Sequence, residues 1–211
     1  MVIRNDYLMR LIEQCVAALS AYTLGRQVED PQSEIAAIDD LISELTGVKR
    51  DFLRNQIQHV VTDVTPEIAF YLGQLLERRI ERLLQLDPGR QVEPWVEAMV
   101  SSYARAMMSP HAVDAERHFF ETIRAHSERL STAFLETSTL EFVTAAECAN
   151  RFDRGENAIF FLVDSDLDVS TGFLEAARGF YHRLLERNAE VVRSGGLEPD
   201  DIQETLAELT S

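Results

Sequence analysis

The chain has 211 residues, of which 45% are hydrophobic and 27% are charged, and its formal net charge is −16. This apolar content predicts a packed core, and the negative field repels phosphates and anionic headgroups, so we expect no nucleic-acid and no membrane partner. The longest apolar stretch, residues 158–163, is far shorter than the ~20 residues that span a bilayer, and we find no signal-peptide core, which predicts a cytoplasmic protein.

Apolar residues recur at every third or fourth position in the first half of the chain, which is the period of amphipathic helices. The first such stripe covers residues 7–22. Asp30 precedes a proline and predicts the start of a second helix, which Gly47 ends, because glycine readily adopts the left-handed conformation found after helices. A shorter helix is expected around 52–61 and a long one over 65–86.

Prolines and capping patterns mark the helix starts of the second half. The helices expected there begin near Glu93, Ser109, Ser138, Asp153 and Glu198. Ser138 and Asp153 each have a glutamate three residues later, which is the reciprocal spacing of a capping box. The helix after Ser109 is expected to run to about Leu135, and a further long helix is expected over 173–192.

Helical periods without a strand-like alternation predict an all-α fold of about ten helices. The connections are short, so neighbouring helices should pack as antiparallel hairpins of about 40 residues, a length typical of helical repeats. We expect one all-helical domain over residues 1–211, with a soft boundary allowed near 87–93.

One segment resembles a known helical repeat. The spacing of Phe152, Gly155, Ile159 and Leu162 is similar to that of the second helix of a tetratricopeptide repeat. Val143 stands where the preceding helix of that repeat needs a small residue. The resemblance therefore implies a tetratricopeptide-like stack and not a true array.

The two ends of the chain carry a wider resemblance. Residues 5–14 (NDYLMRLIEQ), 156–162, 172–174 and 195–199 are similar to segments of an uncharacterised bacterial family of helical proteins, a domain of unknown function. This resemblance implies helical repeats and assigns no activity.

An acidic segment has the spacing of a calcium-binding loop. Its acidic positions are Asp164, Asp166, Asp168 and Glu175. Oxygens at the first, third, fifth and twelfth places of an EF-hand loop surround Ca²⁺. Val169 stands where that loop needs glycine, and Thr171 stands where it has an apolar residue. The alternative is an acidic connection in which Asp168 or Ser170 caps the next helix.

A second cluster combines histidines with carboxylates at helical spacing. Its members are His111, Asp114, His118 and Glu121. Intervals of three and four residues place them on one stripe of a helix, where such groups could bind a transition metal. The stripe lies opposite the apolar face of the same helix, so we expect it to face solvent unless another element covers it.

Two charged residues fall on apolar helix faces, namely Arg79 and Glu116. Burial of either charge without a partner would cost several kcal/mol. Our hypothesis is that at least one of them lines a groove or an interface, with a local surface ion pair as the alternative.

No motif for covalent catalysis or phosphate binding occurs, so we predict no catalytic residue and no cofactor. Cys15 and Cys148 have apolar neighbours and are expected to be small buried hydrophobes in a reducing compartment. We expect a non-enzymatic interaction or scaffold protein that presents a helical groove to a protein or peptide. A metal-dependent enzyme and a Ca²⁺-responsive protein are the alternatives, and apolar strips at both ends would allow a homodimer.

Overall fold

The computed structural model describes residues 2–23, 30–165 and 167–209. These residues form eleven α-helices and one short 3₁₀ turn (Ser127–Arg129), and this part of the chain contains no strand. In chain order the helices are α1 (Val2–Thr23), α2 (Pro31–Thr46), α3 (Arg50–Asp63), α4 (Pro66–Leu86), α5 (Glu93–Ala106), α6 (Ala112–His126), α7 (Thr132–Cys148), α8 (Phe152–Val163), α9 (Thr171–Leu185), α10 (Ala189–Ser194) and α11 (Pro199–Glu208). The all-α prediction is confirmed.

Several helix ends lie where local sequence places them. The carboxylate of Asp30 accepts hydrogen bonds from the backbone N–H groups of Gln32 and Ser33, which caps α2. Gly47 adopts the left-handed conformation at the other end of α2, with φ of 71°. Helices α4 and α11 both begin at a proline, whose missing N–H would have no partner in the first turn.

The single helix predicted from Ser109 to about Leu135 is wrong. Helix α6 ends at His126, the 3₁₀ turn follows, and Ser131 caps a new helix by accepting a hydrogen bond from the backbone N–H of Phe134. The predicted capping box at Ser138 is also wrong, because Ser138 is buried inside α7 and its hydroxyl donates to the carbonyl of Leu135.

Two further boundaries differ from the prediction. Asp153 does not cap a helix, since α8 begins one residue earlier, at Phe152. The long helix expected over 173–192 is divided into α9 and α10. Asn188 caps α10 by accepting a hydrogen bond from the backbone N–H of Glu190.

The helices contact one another in a regular order. Helix α3 packs on α5, α5 on α7, α7 on α9 and α9 on α11, so the odd-numbered helices from α3 onward form a row. Helices α2, α4, α6 and α8 each pack on at least one member of this row. Buried apolar side chains from Leu11 to Leu209 form one cluster that includes residues on both sides of the 87–93 connection.

Two glycines permit close approach between helices. A Cβ atom on Gly73 of α4 would lie 2.6 Å from Cε1 of Tyr103 in α5, a separation that no packed side chain tolerates. A Cβ atom on Gly155 of α8 would lie 3.2 Å from Cζ of Phe180 in α9.

The described helices include none with the length and apolar content needed to cross a membrane.

Candidate functional site

A groove of about 560 Å³ lies between α3, α5 and α7. Helix α7 contributes residues three or four apart, which follow one face of the helix. The lining residues from α7 are Thr137, Leu140, Glu141, Thr144, Ala145 and Cys148. Val61 comes from α3, Ser101 and Arg105 come from α5, and Met108 follows α5 with 42% of its surface exposed. The row of odd-numbered helices therefore leaves an open concave surface.

The groove contains one positive and one negative side chain. Nε of Arg105 donates to the backbone carbonyl of Val64 at 2.6 Å, which fastens α5 to the end of α3. Partial desolvation raises the pKa of Glu141, and the positive charge of Arg105 opposes this rise. The remaining lining is largely apolar, so a ligand would be held chiefly by hydrophobic contact and oriented by these two charges.

The two cysteines have different environments. Cys15 is buried as predicted, and its burial, followed by the negative charge of Glu44, raises the thiol pKa to about 11. The prediction of burial is wrong for Cys148, which is an exposed free thiol at the last turn of α7. Its helix position turns it toward the groove and not toward the core.

Arg79 is buried and paired across the fold. Its Nε donates to Oδ1 of Asp39 at 2.6 Å and its Nη2 donates to Oδ2 at 3.3 Å, so the pair joins α4 to α2 and is not a local surface pair. The guanidinium carbon lies 3.6 Å from the ring centroid of Trp95. Nη1 is buried and has no hydrogen-bond partner among the described residues. An unsatisfied buried donor destabilises the fold by roughly 1–3 kcal/mol, and by more when the group is charged.

Glu116 is also buried, as its place on the apolar face of α6 predicts. Its carboxylate accepts hydrogen bonds from Nη1 of Arg154 in α8, at 3.0 and 3.1 Å. This contact joins two helices that are distant in sequence. Glu116 does not belong to the groove lining, whereas Arg79 lines a second, smaller cavity.

Two similar carboxylates were not singled out from the sequence. Glu34 of α2 is completely buried and accepts hydrogen bonds from Arg78 and Arg82 of α4, at 2.6 and 2.7 Å. Glu147 of α7 accepts hydrogen bonds from two arginines of α9 and its C-terminal end, Arg183 at 2.8 Å and Arg187 at 3.0 Å. Burial of Glu34 could have been predicted from the sequence, because this residue continues the apolar stripe of α2 four residues before Ile38.

The histidine stripe of α6 is partly covered, so the expectation that it faces solvent needs correction. His111 stacks on Phe70, with ring centroids 4.6 Å apart, and its Nε2 shares a 3.2 Å hydrogen bond with the hydroxyl of Tyr71. His118 stacks on Tyr103 at 5.0 Å. Helices α4 and α5 supply these aromatic rings, while the carboxylates of the stripe, Asp114 and Glu121, remain exposed.

The acidic connection between α8 and α9 is described except for Asp166. Asp164, Asp168 and Glu175 are exposed. The alternative capping role is confirmed for Ser170, whose side chain accepts a hydrogen bond from the N–H of Phe173 and donates to Glu136 at 2.7 Å. Calcium binding stays a prediction. The described residues include no group of three or more His, Cys, Asp or Glu placed to hold a metal ion.

No curated protein and no solved structure matches the chain. A family model described as "Family of unknown function (DUF6483)" matches residues 2–211. The resemblance of the two chain ends to an uncharacterised family is thereby confirmed. The chain belongs to the Family of unknown function (DUF6483).

Proposed function

We propose that this protein is a non-enzymatic binding protein of a reducing cytoplasm whose groove between α3, α5 and α7 receives an amphipathic helical segment of a partner protein. The observation that carries the proposal is the open, largely apolar groove of about 560 Å³ along the row of odd-numbered helices. Grooves between packed helices are suited to the apolar face of another helix, whose side chains at intervals of three and four residues fill them.

The lining supports an adaptable hydrophobic contact. Met108 is 42% exposed at the edge of the groove, and methionine is flexible and polarisable, which suits surfaces that accommodate varied apolar side chains. Leu140, Ala145 and Val61 supply further apolar surface. The groove volume of about 560 Å³ lies within the range that is typical of ligand-binding sites in proteins. The row of stacked helices also supports the tetratricopeptide-like arrangement that we propose for the whole stack.

Charge indicates the chemistry of the partner. The chain carries a net charge of −16, which steers cationic segments toward it. Inside the groove, Arg105 already donates to the carbonyl of Val64, while Glu141 is partly desolvated and has a raised pKa. A lysine or arginine beside the apolar face of the partner helix would stabilise the ionised form of Glu141. We therefore propose a basic amphipathic helix as the ligand.

Selection from a library of random peptides tests this proposal. Peptides of about 16 residues, which form four helical turns, are displayed and selected on the wild-type protein. Thr144→Arg places a bulky positive charge in the groove, and Ala125→Arg places the same side chain on an exposed position of α6 as the control. We expect peptides with apolar residues three or four apart and basic flanks, whose affinity falls at least ~tenfold with Thr144→Arg and is unchanged by Ala125→Arg.

Two results would overturn the proposal. The first is a failure to select any peptide that distinguishes the wild type from Thr144→Arg. The second is a consensus rich in aspartate and glutamate. The net negative charge of the protein repels such peptides, whereas the proposal expects this charge to attract the ligand.

A further inference from the structure

A second concave site lies where the connection between α4 and α5 folds over both helices. It has a volume of about 290 Å³ and shares no lining residue with the groove. Its floor consists of the buried side chains of Arg79, Leu83 and Trp95. Its rim consists of exposed residues of the connection between 87 and 91. The site is therefore a buried arginine beneath a polar, solvent-accessible edge.

The floor contains an unused donor group. Two nitrogen atoms of Arg79 donate to Asp39, and stacking at 3.6 Å on Trp95 holds the guanidinium plane in place. Nη1 of Arg79 is buried and has no hydrogen-bond partner in the described part of the chain. Buried polar groups in folded proteins are nearly always hydrogen-bonded, so this nitrogen leaves Arg79, a lining residue of the cavity, with unused donor capacity.

The rim adds donors of the same kind. Arg90 and Gln91 are among the lining residues of the cavity. The carboxylate of Asp87 accepts a hydrogen bond from the backbone N–H of Gly89 at 3.1 Å. The backbone carbonyl of Asp87 accepts a second one from the backbone N–H of Arg90 at 3.1 Å. These bonds fold the connection, and one of them engages Oδ1 of the Asp87 carboxylate with the backbone. The polar residues that border this small space are thus two arginines, one glutamine and one aspartate.

We infer that this cavity binds the carboxylate or phosphate group of a small molecule. Guanidinium groups match both oxyanions in geometry, and the charged hydrogen bonds that result are stronger than neutral ones. In this proposal the side chains of Arg79 and Arg90, which both line the cavity, are the donors. A volume of about 290 Å³ is at the lower end of small-molecule sites and suits a compact ligand. This site is additional to the peptide groove.

Tryptophan fluorescence tests the inference directly. Trp95 is the only tryptophan of the chain and contacts Arg79, so its emission reports on the cavity. The full chain is titrated with inorganic phosphate and, separately, with malonate, and sodium chloride keeps the ionic strength constant. We expect a saturable change in emission with at least one anion and none with chloride. A response to phosphate assigns a phosphate ligand, and a response to malonate alone assigns a carboxylate.

Variants locate the response. Arg90→Gln should weaken anion binding about tenfold or more, because one charged donor is lost. Arg117→Gln is the matched control, since Arg117 is an exposed arginine of α6 outside the cavity. The affinity of this variant for the anion should equal that of the wild type. The double variant Asp39→Asn/Arg79→Met removes both members of the buried pair and should abolish the response.

The inference is overturned if neither anion produces a saturable change. It is also overturned if Arg90→Gln and Arg117→Gln weaken the response equally, which would show a general effect of charge. The comparison of these two rim and surface variants decides the question even if the double variant does not fold.

Discussion

Buried carboxylates in this protein are held by arginine, and Lys49 is the only lysine of the chain. Arginine suits this role because its planar guanidinium group donates to both oxygens of a carboxylate at once. The pairs Asp39–Arg79 and Glu116–Arg154 each connect helices that are not neighbours in sequence. Each carboxylate therefore fixes the position of one helix relative to another.

Arg79→Met tests this role. Because Asp39 would be left buried without its partner, we expect the free energy of unfolding to fall by about 3–5 kcal/mol in urea denaturation. Arg117→Met, in an exposed pair with Asp114, should change it by less than about 0.5 kcal/mol. An Arg79→Met variant as stable as the wild type would indicate that the charge is retained for binding and not for folding.

Glu147 should make stability depend on pH in the acid range. Burial alone raises its pKa, but hydrogen bonds and charge from Arg183 and Arg187 outweigh this effect and lower the pKa below its ordinary value of 4.5. A carboxylate with a lowered folded-state pKa stabilises the fold above its unfolded pKa and loses this contribution as the pH falls through the folded value.

Glu147→Gln should therefore cost roughly 1–2 kcal/mol near neutral pH, because both arginines are partly exposed and solvent screens them. The difference from the wild type should shrink as the pH falls below about 4.5, measured by urea denaturation at each pH. Glu186→Gln, at an exposed position, is the control. A pH-independent difference would contradict the lowered pKa.

The two thiols should differ in reactivity in the native protein. Cys148 is exposed, whereas Cys15 is buried and its raised pKa of about 11 keeps it protonated. N-ethylmaleimide should modify Cys148 alone in the folded chain and both cysteines after unfolding, as measured by mass spectrometry of peptides. Equal modification rates in the native protein would be inconsistent with the burial of Cys15.

At the scale of the helix, close contact between α4 and α5 depends on Gly73. Alanine there would gain helix propensity, yet its Cβ atom would lie 2.6 Å from the ring of Tyr103. We expect Gly73→Ala to destabilise the protein by about 1–3 kcal/mol in urea denaturation. Gly179→Ala in α9, whose Cβ atom meets only Nη1 of Arg183 at 3.5 Å, should stabilise it by about 0.5–1 kcal/mol. Equal effects of the two changes would refute the packing argument.

Helix positions were predictable where a strong local signal marks them. Asp30 and Gly47 define α2 because their interactions involve only neighbouring residues. The spacing of a capping box also occurs inside helices, which is why Ser138 was placed at a helix start although it is buried within α7. The true cap, Ser131, follows an apolar residue and lacks a glutamate three positions later.

At the scale of the whole molecule, the all-α class follows from a periodicity that is present throughout the chain. Which helix covers which stripe depends on contacts between distant residues, and these leave no local signal. His111 and His118 were therefore expected in solvent unless another element covered them, and aromatic rings of α4 and α5 cover them in part. Arg79 was recognised as a buried charge from its helix face, but its partner Asp39, 40 residues earlier, was not.

The groove between α3, α5 and α7 also results from long-range packing, and Cys148 lies within it. The most direct test of the groove as the binding site is therefore the rate at which N-ethylmaleimide modifies Cys148, measured with and without a peptide selected on the wild-type protein. With peptide at ten times its Kd, occupancy should slow the reaction about tenfold, while Cys15 stays unmodified throughout. An unchanged rate at Cys148 under saturating peptide would contradict the proposal.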